Sequence, residues 1–291
     1  MANQAGRFRI LIATDGSRQA RAAIATTLAF PWPVDAHVRV VAARRTRAEY
    51  RRSILLAALD RSADAAAGRA RRALSRRWPE IEAVVVDRPP AEGILEEAGR
   101  FGADVIVLGW RGHGAVRRLL MGSTSRAIVR AAPCAVLVVR RSARVRRLVI
   151  GLDRSPMAAR ALALASRLAP PAGGRVVLVT AVEPLAVPSQ GMVPGARAVA
   201  RDVKRLNARR EREALQRLGR AASRLRRAGW QVRTVLASGE PLRELLAVVT
   251  GSRSSLLVVG ARGASPVRHL LLGSVAQGAL DRSPVPVLVV R

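Results

Sequence analysis

The sequence predicts an α/β protein made of two tandem domains, each an open, doubly wound parallel sheet with helices on both faces. Short apolar runs alternate with helical segments, and one glycine-spaced stretch occurs twice. The second copy also repeats its flanks: residues 109–140 align without a gap with 260–291, and 15 of the 32 positions are identical. Such a repeat indicates two related domains, for which we expect the ranges 1–141 and 145–291.

In the first half, apolar runs predict the strands and helical spacing predicts the segments between them. The longest helix of this half is predicted because apolar residues recur every three or four positions, namely Leu55, Leu59, Ala63, Ala66, Ala70 and Leu74. Pro133 ends the last helix. The predicted strands are 8–14, 36–43, 81–86, 103–108 and 135–139, and the predicted helices are 18–30, 48–77, 91–101 and 123–131.

The second half repeats this order, with 13 additional residues between its landmarks that we assign to a mobile loop in 183–200. Its long helix is predicted from an apolar face of Val199, Val203, Leu206, Ala214, Leu218, Ala221 and Leu225. The predicted strands are 147–152, 175–182, 231–236, 254–259 and 286–290, and the predicted helices are 156–168, 195–228, 240–250 and 275–281.

Composition restricts the class of protein. A chain of 291 residues that is 49% hydrophobic can form two ordinary cores. The single cysteine, Cys134, excludes an intrachain disulfide and suits a reducing compartment, where we expect it to be a buried structural thiol. The N-terminus leads directly into a strand pattern, and no apolar run approaches the ~20 residues of a membrane span. We therefore expect a cytoplasmic protein without a membrane span.

The net charge is +31, and 50 of the 51 basic residues are arginine. A field of this sign attracts anions, including nucleotides, nucleic acid and acidic lipid surfaces. Nucleic acid is the less favoured partner because only 3% of residues are aromatic, whereas stacking platforms need aromatic side chains.

The repeated stretch reads GWRGHGAVRRLLMGS at 109–123 and GARGASPVRHLLLGS at 260–274. Each copy follows an apolar strand and precedes a helix. Glycines allow the backbone to approach a ligand closely, and the helix N-terminus presents unpaired N–H groups and a positive dipole end. This combination predicts a phosphate-binding loop.

Asp15 and Asp153 end the first strand of each half, and we expect each to lie beside the glycine loop of its own domain. A carboxylate there can accept ribose hydroxyls or hold Mg²⁺ beside phosphates; the alternative is a helix N-cap. Ser123 and Ser274 could cap their helices or bind phosphate. The pairs Arg117–Arg118 and Arg268–His269 either lean over a triphosphate or are solvated.

Several enzyme classes lose support. His37, His113 and His269 have no metal-ligand spacing, and no grouping of nucleophile, base and orienting residue is visible. Neither loop has a lysine before its hydroxyl residue or the Gly-x-Gly-x-x-Gly spacing of dinucleotide folds. We therefore expect no catalytic or metal site.

These residues resemble the tandem form of the universal stress protein family, specifically its ATP-binding branch, whose loop is Gly-x2-Gly-x9-Gly-Ser/Thr. The resemblance extends to the closing segments PCAVLVVR and PVPVLVVR. It implies five-stranded sheets of strand order 3-2-1-4-5, pairing of the domains through their last strands, and ATP, with or without Mg²⁺, in each domain. The implied ATP contacts are Asp15, Ala43, Gly109, Arg111, Gly112, Gly122, Ser123 and Thr124 in the first domain, and Asp153, Ala181, Gly260, Arg262, Gly263, Gly273, Ser274 and Val275 in the second.

The resemblance implies an ATP-binding stress-response protein that acts as a nucleotide sensor with one site per domain. Two alternatives stay open: a basic protein that binds nucleic acid through its arginine-rich helices, and a slow ATPase. Two tandem chains could also form a homodimer.

Overall fold

The computed structural model of the protein describes residues 6–44, 54–112, 121–186, 196–263 and 272–291. For residues 54–61 and 196 it describes the backbone alone. Its strands and helices occur in the predicted order. Their ends differ from the predicted ends by a few residues at most, as is usual for boundaries assigned from sequence. The first residues predicted for the helix at 48–77, the middle of the predicted loop 183–200, and the middle of both glycine loops lie outside the described residues.

The elements of the first half are the strands β1 (Arg9–Ala13), β2 (His37–Ala43), β3 (Glu82–Val86), β4 (Val105–Gly109) and β5 (Ala135–Val139), with the helices α1 (Arg18–Leu28), α2 (Ile54–Leu74), α3 (Pro90–Phe101) and α4 (Ser123–Ala131). Those of the second half are β6 (Arg147–Gly151), β7 (Arg175–Val182), β8 (Gln231–Ser238), β9 (Leu256–Gly260) and β10 (Val287–Val290), with α5 (Pro156–Arg167), α6 (Ala196–Arg227), α7 (Pro241–Gly251) and α8 (Ser274–Arg282).

The ten strands form one sheet in the order β3-β2-β1-β4-β5-β10-β9-β6-β7-β8. Each half is parallel and has the predicted order 3-2-1-4-5. The halves meet where β5 pairs antiparallel with β10, with Leu137 opposite Leu288. Because this junction is antiparallel, the strands of the two halves point in opposite directions. The carboxyl ends of β1 and β4 therefore lie at the opposite end of the sheet from those of β6 and β9.

Helices cover both faces of the sheet, as predicted, and each face forms a core that spans both halves. One face buries Ile10, Leu137 and Leu148 under α1, α2, α5 and α6. The other buries Val136 and Val149 under α3, α4, α7 and α8. The central strands are apolar on both sides because both sides are covered.

The predicted apolar stripes are partly correct. In α2, Ala63, Ala66, Ala70 and Leu74 are buried. In α6, the stripe is buried from Ala214 onward, but Val199 and Leu206 are 46% and 45% exposed. The reason is length: a helix of 32 residues extends about 48 Å, whereas the eight residues of β7 extend only about 26 Å. The N-terminal part of α6 therefore projects beyond the sheet.

Two arginines join the halves reciprocally. Arg140, directly after β5, donates to the carbonyl oxygens of Leu280 (3.2 Å) and Asp281 (2.8 Å) at the end of α8. Arg291, directly after β10, donates to those of Val129 (2.8 Å) and Arg130 at the end of α4. Each arginine thus satisfies the final carbonyls of a helix in the other half. Burial lowers the pKa of both guanidinium groups.

We expect Arg140→Ala and Arg291→Ala each to lower the free energy of unfolding by about 1–3 kcal/mol, since each leaves partly buried helix-end carbonyls without a charged donor. Arg141→Ala, at an exposed neighbouring position, is the control and should stay within about 0.5 kcal/mol of the parent protein. Urea unfolding measures all three variants. Equal stability of Arg140→Ala and Arg141→Ala would contradict the capping role.

Candidate functional site

The first crevice begins where β1 ends. Asp15 Oδ1 accepts the backbone N–H of Ser17 (2.9 Å), and Ser17 Oγ accepts that of Ala20 (3.2 Å) as the N-cap of α1. Ser17 is therefore the N-cap of α1, and the alternative role of Asp15 as that N-cap is wrong. Gly16, between them, has a φ of +78°, which favours glycine. This turn leaves the Asp15 side chain exposed at the carboxyl end of the strand.

The second crevice is built in the same way. Asp153 Oδ1 accepts both the backbone N–H (2.9 Å) and the hydroxyl (2.5 Å) of Ser155. Ser155 is the N-cap of α5 and accepts the N–H of Ala158 (3.1 Å). The N-cap alternative is thus also wrong for Asp153. The residue after the acid is Arg154 in this half, in place of Gly16.

The second glycine of each loop lies directly against the carboxylate. A Cβ atom added to Gly112 would lie well inside 3.0 Å of Asp15 Oδ2, and one added to Gly263 would lie 3.1 Å from Asp153 Oδ2. The loop backbone therefore passes beside the strand-end acid in both halves. The structure brings together in space the two motifs that the sequence places about 100 residues apart.

The other loop glycines have packing roles. A Cβ on Gly109 would lie 2.8 Å from the backbone of Gln19 at the start of α1, and one on Gly260 would lie 2.8 Å from Met157 Cβ in α5. Gly122 and Gly273 face the loop's own backbone: their N–H groups donate to the carbonyls of Trp110 (3.0 Å) and Ala261 (2.8 Å). These bonds close the end of each loop onto its beginning.

Helix α4 begins at Ser123 and α8 at Ser274, and both serines are exposed. The N-caps are Gly122 and Gly273, and neither helix has a side-chain cap bond. The capping interpretation of the two serines is therefore wrong. Thr124 and Val275 are the second residues of α4 and α8. The backbone N–H groups in the first turn of each helix therefore lie directly after the glycine loop.

The structure gives different surroundings to the two loop arginines. The guanidinium of Arg111 stacks on the ring of Trp110, 4.2 Å from its centroid, and the Arg111 carbonyl accepts the Ser17 hydroxyl (3.4 Å). Arg262 is exposed. The segments 113–120 and 264–271 lie outside the described residues, so the roles of the pairs Arg117–Arg118 and Arg268–His269 stay predictions.

A cavity of about 160 Å³ opens beside Asp153. Its lining consists of Asp153, Arg154, Thr180, Ala181, Val182, Arg210, Glu213 and Arg217. Asp153 and Ala181 therefore share one crevice, as the predicted site requires. Burial lowers the pKa of the Arg217 guanidinium, and repulsion from Arg154 lowers it further by a smaller amount.

Sequence analysis missed the three arginines of this cavity. Two signals were present: Arg154 directly follows Asp153, and Arg210 and Arg217 are seven residues apart, which places them on one face of α6. In the first half, Ala43 is the counterpart of Ala181 and is followed by Arg44. Arg44 pairs with Asp64 (2.9 Å) and Asp87 (3.1 Å), and its hydrogen bond to Asp64 raises its pKa.

The described part of the chain contains no group of three or more histidine, cysteine, aspartate or glutamate residues placed to hold a metal ion. Burial raises the pKa of the Cys134 thiol to about 12, so the thiol stays protonated at neutral pH. Within the described ranges, no helix is both long enough and apolar enough to cross a membrane.

Fold and site together define a class: a tandem α/β protein with one doubly wound sheet and one glycine-loop crevice in each half. The chain belongs to the universal stress protein family, whose family model matches residues 6–140 and again 144–291. The tandem arrangement inferred from the repeat is confirmed by this double match.

Relatives and solved structures agree with this assignment. Universal stress protein Rv2005c of Mycobacterium tuberculosis is 31% identical over 202 residues, which is 65% of this chain and 62% of that protein. The chain thus spans less than two thirds of that relative. YxiE of Bacillus subtilis is 28% identical over 145 residues, or 50% of this chain and 98% of YxiE. The fold matches a universal stress protein from Archaeoglobus fulgidus with a TM-score of 0.67 at 18% identity, over 97% of this chain and 96% of the other.

Proposed function

We propose that the chain binds ATP in two crevices, one in each of the domains 1–141 and 145–291, and acts as a nucleotide-dependent regulator in a stress response. One observation carries the proposal: in both halves a loop glycine lies against a strand-end carboxylate, Gly112 at Asp15 and Gly263 at Asp153. The glycine loop and the strand-end acid belong to separate stretches of the chain, and they approach each other at the same position in both halves.

The phosphates are assigned to the loop and the following helix. Gly122 and Gly273 precede α4 and α8 directly, so the first-turn amides and the positive end of the helix dipole begin at the loop. The exposed hydroxyls of Ser123 and Ser274 can donate to phosphate oxygens because they cap nothing.

The strand-end acids are assigned to the ribose. Oδ1 of Asp15 and of Asp153 already accepts a backbone N–H, which orients each carboxylate and turns Oδ2 towards the loop. A carboxylate so placed can accept ribose hydroxyls, or hold Mg²⁺ between itself and the phosphates. Adenine is assigned to the backbone near Ala43 and Ala181, at the ends of the second strands.

The two sites are expected to differ in affinity. The second crevice has three arginines in its lining, whereas Arg44 of the first half is already paired with Asp64 and Asp87. Arginines that face a phosphate-bearing ligand strengthen its binding. We therefore expect the tighter site to be the second one.

Titration calorimetry with ATP at moderate salt tests the proposal. We expect saturable binding at about two sites in the parent protein, and loss of one site in Asp15→Ala and of the other in Asp153→Ala. Asp202→Ala, at a 76% exposed carboxylate on α6, is the matched control and should bind as the parent does. Repeating the titration with EDTA determines whether Mg²⁺ contributes, and incubation with labelled ATP determines whether ADP forms.

Two results would contradict the proposal: no saturable ATP binding by the parent protein, or parental stoichiometry in both crevice variants. The cytoplasmic location, a further homodimer and binding of nucleic acid stay predictions. Steep loss of oligonucleotide affinity with rising salt would support the nucleic-acid alternative.

A further inference from the structure

We propose that the second domain has an additional anion-binding site at the amino end of its sheet, for a small anion that carries several phosphate groups. A cavity of about 320 Å³ opens there. Its charged and hydroxyl-bearing lining residues are Arg147, Arg175, Arg233, Ser252 and Ser254. Arg147 and Arg175 begin β6 and β7, whereas Asp153 follows the end of β6, so this cavity lies at the opposite end of the strands from the crevice assigned to ATP.

The three arginines are on one face of the sheet. The register places Arg147 opposite Arg175 and Val177 opposite Arg233, and residues opposite each other in parallel strands share a face. It is the face that α7 covers, since Val149 packs there with residues of α7. Ser252 directly follows α7, Ser254 comes two residues later, and both line the cavity.

Of the residues that the structure describes, those that line the cavity include no carboxylate. Among the described residues, none of the three guanidinium groups forms a salt bridge. Three like charges in one concave surface repel one another, and an anion between them removes that repulsion.

The first domain supplies an internal comparison. At the equivalent place Arg39 pairs with Glu82 (2.5 Å) and with Glu97 (2.8 Å), and Asp104 accepts the backbone N–H of Arg9 (2.8 Å). The repeat offsets and the strand register give the counterparts of these three acids as Arg233, Val248 and Ser255. Ser255 confirms the equivalence, because its hydroxyl accepts the N–H of Arg147 (3.0 Å) just as Asp104 accepts that of Arg9.

The second domain therefore has one cation, one apolar residue and one hydroxyl where the first has three carboxylates, and it has Val177 where the first has Arg39. The change converts a neutralised position into a cationic one while the backbone arrangement is kept. Guanidinium groups bind phosphate oxygens through paired N–H donors. The serine hydroxyls are not among these donors, because Ser252 Oγ donates to the Val248 carbonyl (2.6 Å) and bonds to Ser254 Oγ (2.6 Å). The volume falls in the range of roughly 300–1,000 Å³ that is typical of small-molecule sites.

The nearby C-terminal end of α7 opposes anion binding, but its effect is smaller than that of the arginines. The carbonyl end of a helix carries a partial negative charge of about half a unit, which weakens anion binding but is much smaller than three full positive charges. Arginines that only neutralise the partial negative charge of this helix end would bind no anion. Titration with a polyphosphate separates these two roles.

Inorganic tripolyphosphate is the probe, titrated at low salt into the full chain and into Arg233→Glu, which restores the acid found at Glu82 of the first domain. We expect Arg233→Glu to lose one binding event, with affinity reduced about tenfold or more. Arg160→Glu, an exposed position on α5 with the same change of charge, is the control and should retain it. Arg175→Gln should weaken the same event.

Three further measurements make the result specific. Asp153→Ala, which is expected to lose ATP at the second crevice, should retain the tripolyphosphate event lost in Arg233→Glu, so the two sites are distinguished. Circular dichroism and thermal unfolding establish that the variants are folded. Equal binding by Arg233→Glu and Arg160→Glu would overturn the proposal, as would binding of a single-stranded oligonucleotide but not of tripolyphosphate.

Discussion

Replacing Gly112 with alanine is expected to abolish ATP binding in the first crevice while the second keeps its site. The added methyl group would lie well inside 3.0 Å of Asp15 Oδ2, closer than any real Cβ contact. Either the loop or the carboxylate must move, and both are assigned to the ligand. Calorimetry should therefore report about one site in place of two, a loss of more than about a hundredfold in affinity at the altered crevice, or about 2.7 kcal/mol.

Gly263→Ala is expected to be milder, because the corresponding Cβ would lie 3.1 Å from Asp153 Oδ2 and a shift of a few tenths of an ångström would accommodate it. The chain offers two matched controls, Gly99 in α3 and Gly219 in α6, where an added Cβ meets nothing within 4 Å. Alanine at these helical positions should raise stability by up to about 1 kcal/mol and leave ATP binding unchanged. Parental ATP binding by Gly112→Ala would contradict the assignment of the loop.

Introducing a charge at the junction of the two halves is expected to have the largest effect on stability. Leu137 in β5 lies opposite Leu288 in β10, and both side chains are fully buried. Leu137→Asp would place an unpaired carboxylate among apolar groups and remove packing from the core that both halves share. We expect the free energy of unfolding to fall by at least about 4 kcal/mol.

Urea unfolding measures this loss, with Leu215→Asp as the control. Leu215 is 53% exposed on α6, so a charge there should change the free energy of unfolding by no more than about 0.5 kcal/mol. Leu288→Asp should match Leu137→Asp because the two residues face each other. If either variant were as stable as Leu215→Asp, the strands β5 and β10 would not be paired in solution.

Much of the candidate site was predictable because its parts are local. The spacing of Gly109, Gly112 and Gly122, a preceding apolar run and a following helix all occur within one short segment, and its repetition 151 residues later excludes chance. The position of Asp15 at the end of a strand is equally local. Parallel pairing then brings strand ends to one edge, which is why Asp15 was expected beside Gly109, at the start of the loop. The close approach of Gly112 to Asp15 comes from the structure.

The N-caps could not be assigned in the same way. Asp15, Ser17, Ser123 and their counterparts are all good capping residues, and the choice depends on the backbone angles at each helix start. The structure selects Ser17 and Ser155 for α1 and α5, and the glycines for α4 and α8. The aspartates and the loop serines therefore cap none of these four helices.

The sequence by itself determined the two domains, the order of their elements, and the loop and acid of each crevice, because periodicity and repetition record local geometry. The contacts between distant parts of the chain were decided only by the tertiary structure. It seated Trp110 so that its indole N–H donates to Leu280 of the other half (3.1 Å), brought Arg154, Arg210 and Arg217 into one crevice, and grouped Arg147, Arg175 and Arg233 at one edge. Each group joins residues from distant parts of the chain, such as Arg154 with Arg210 and Arg147 with Arg233, and the local sequence does not specify such pairs.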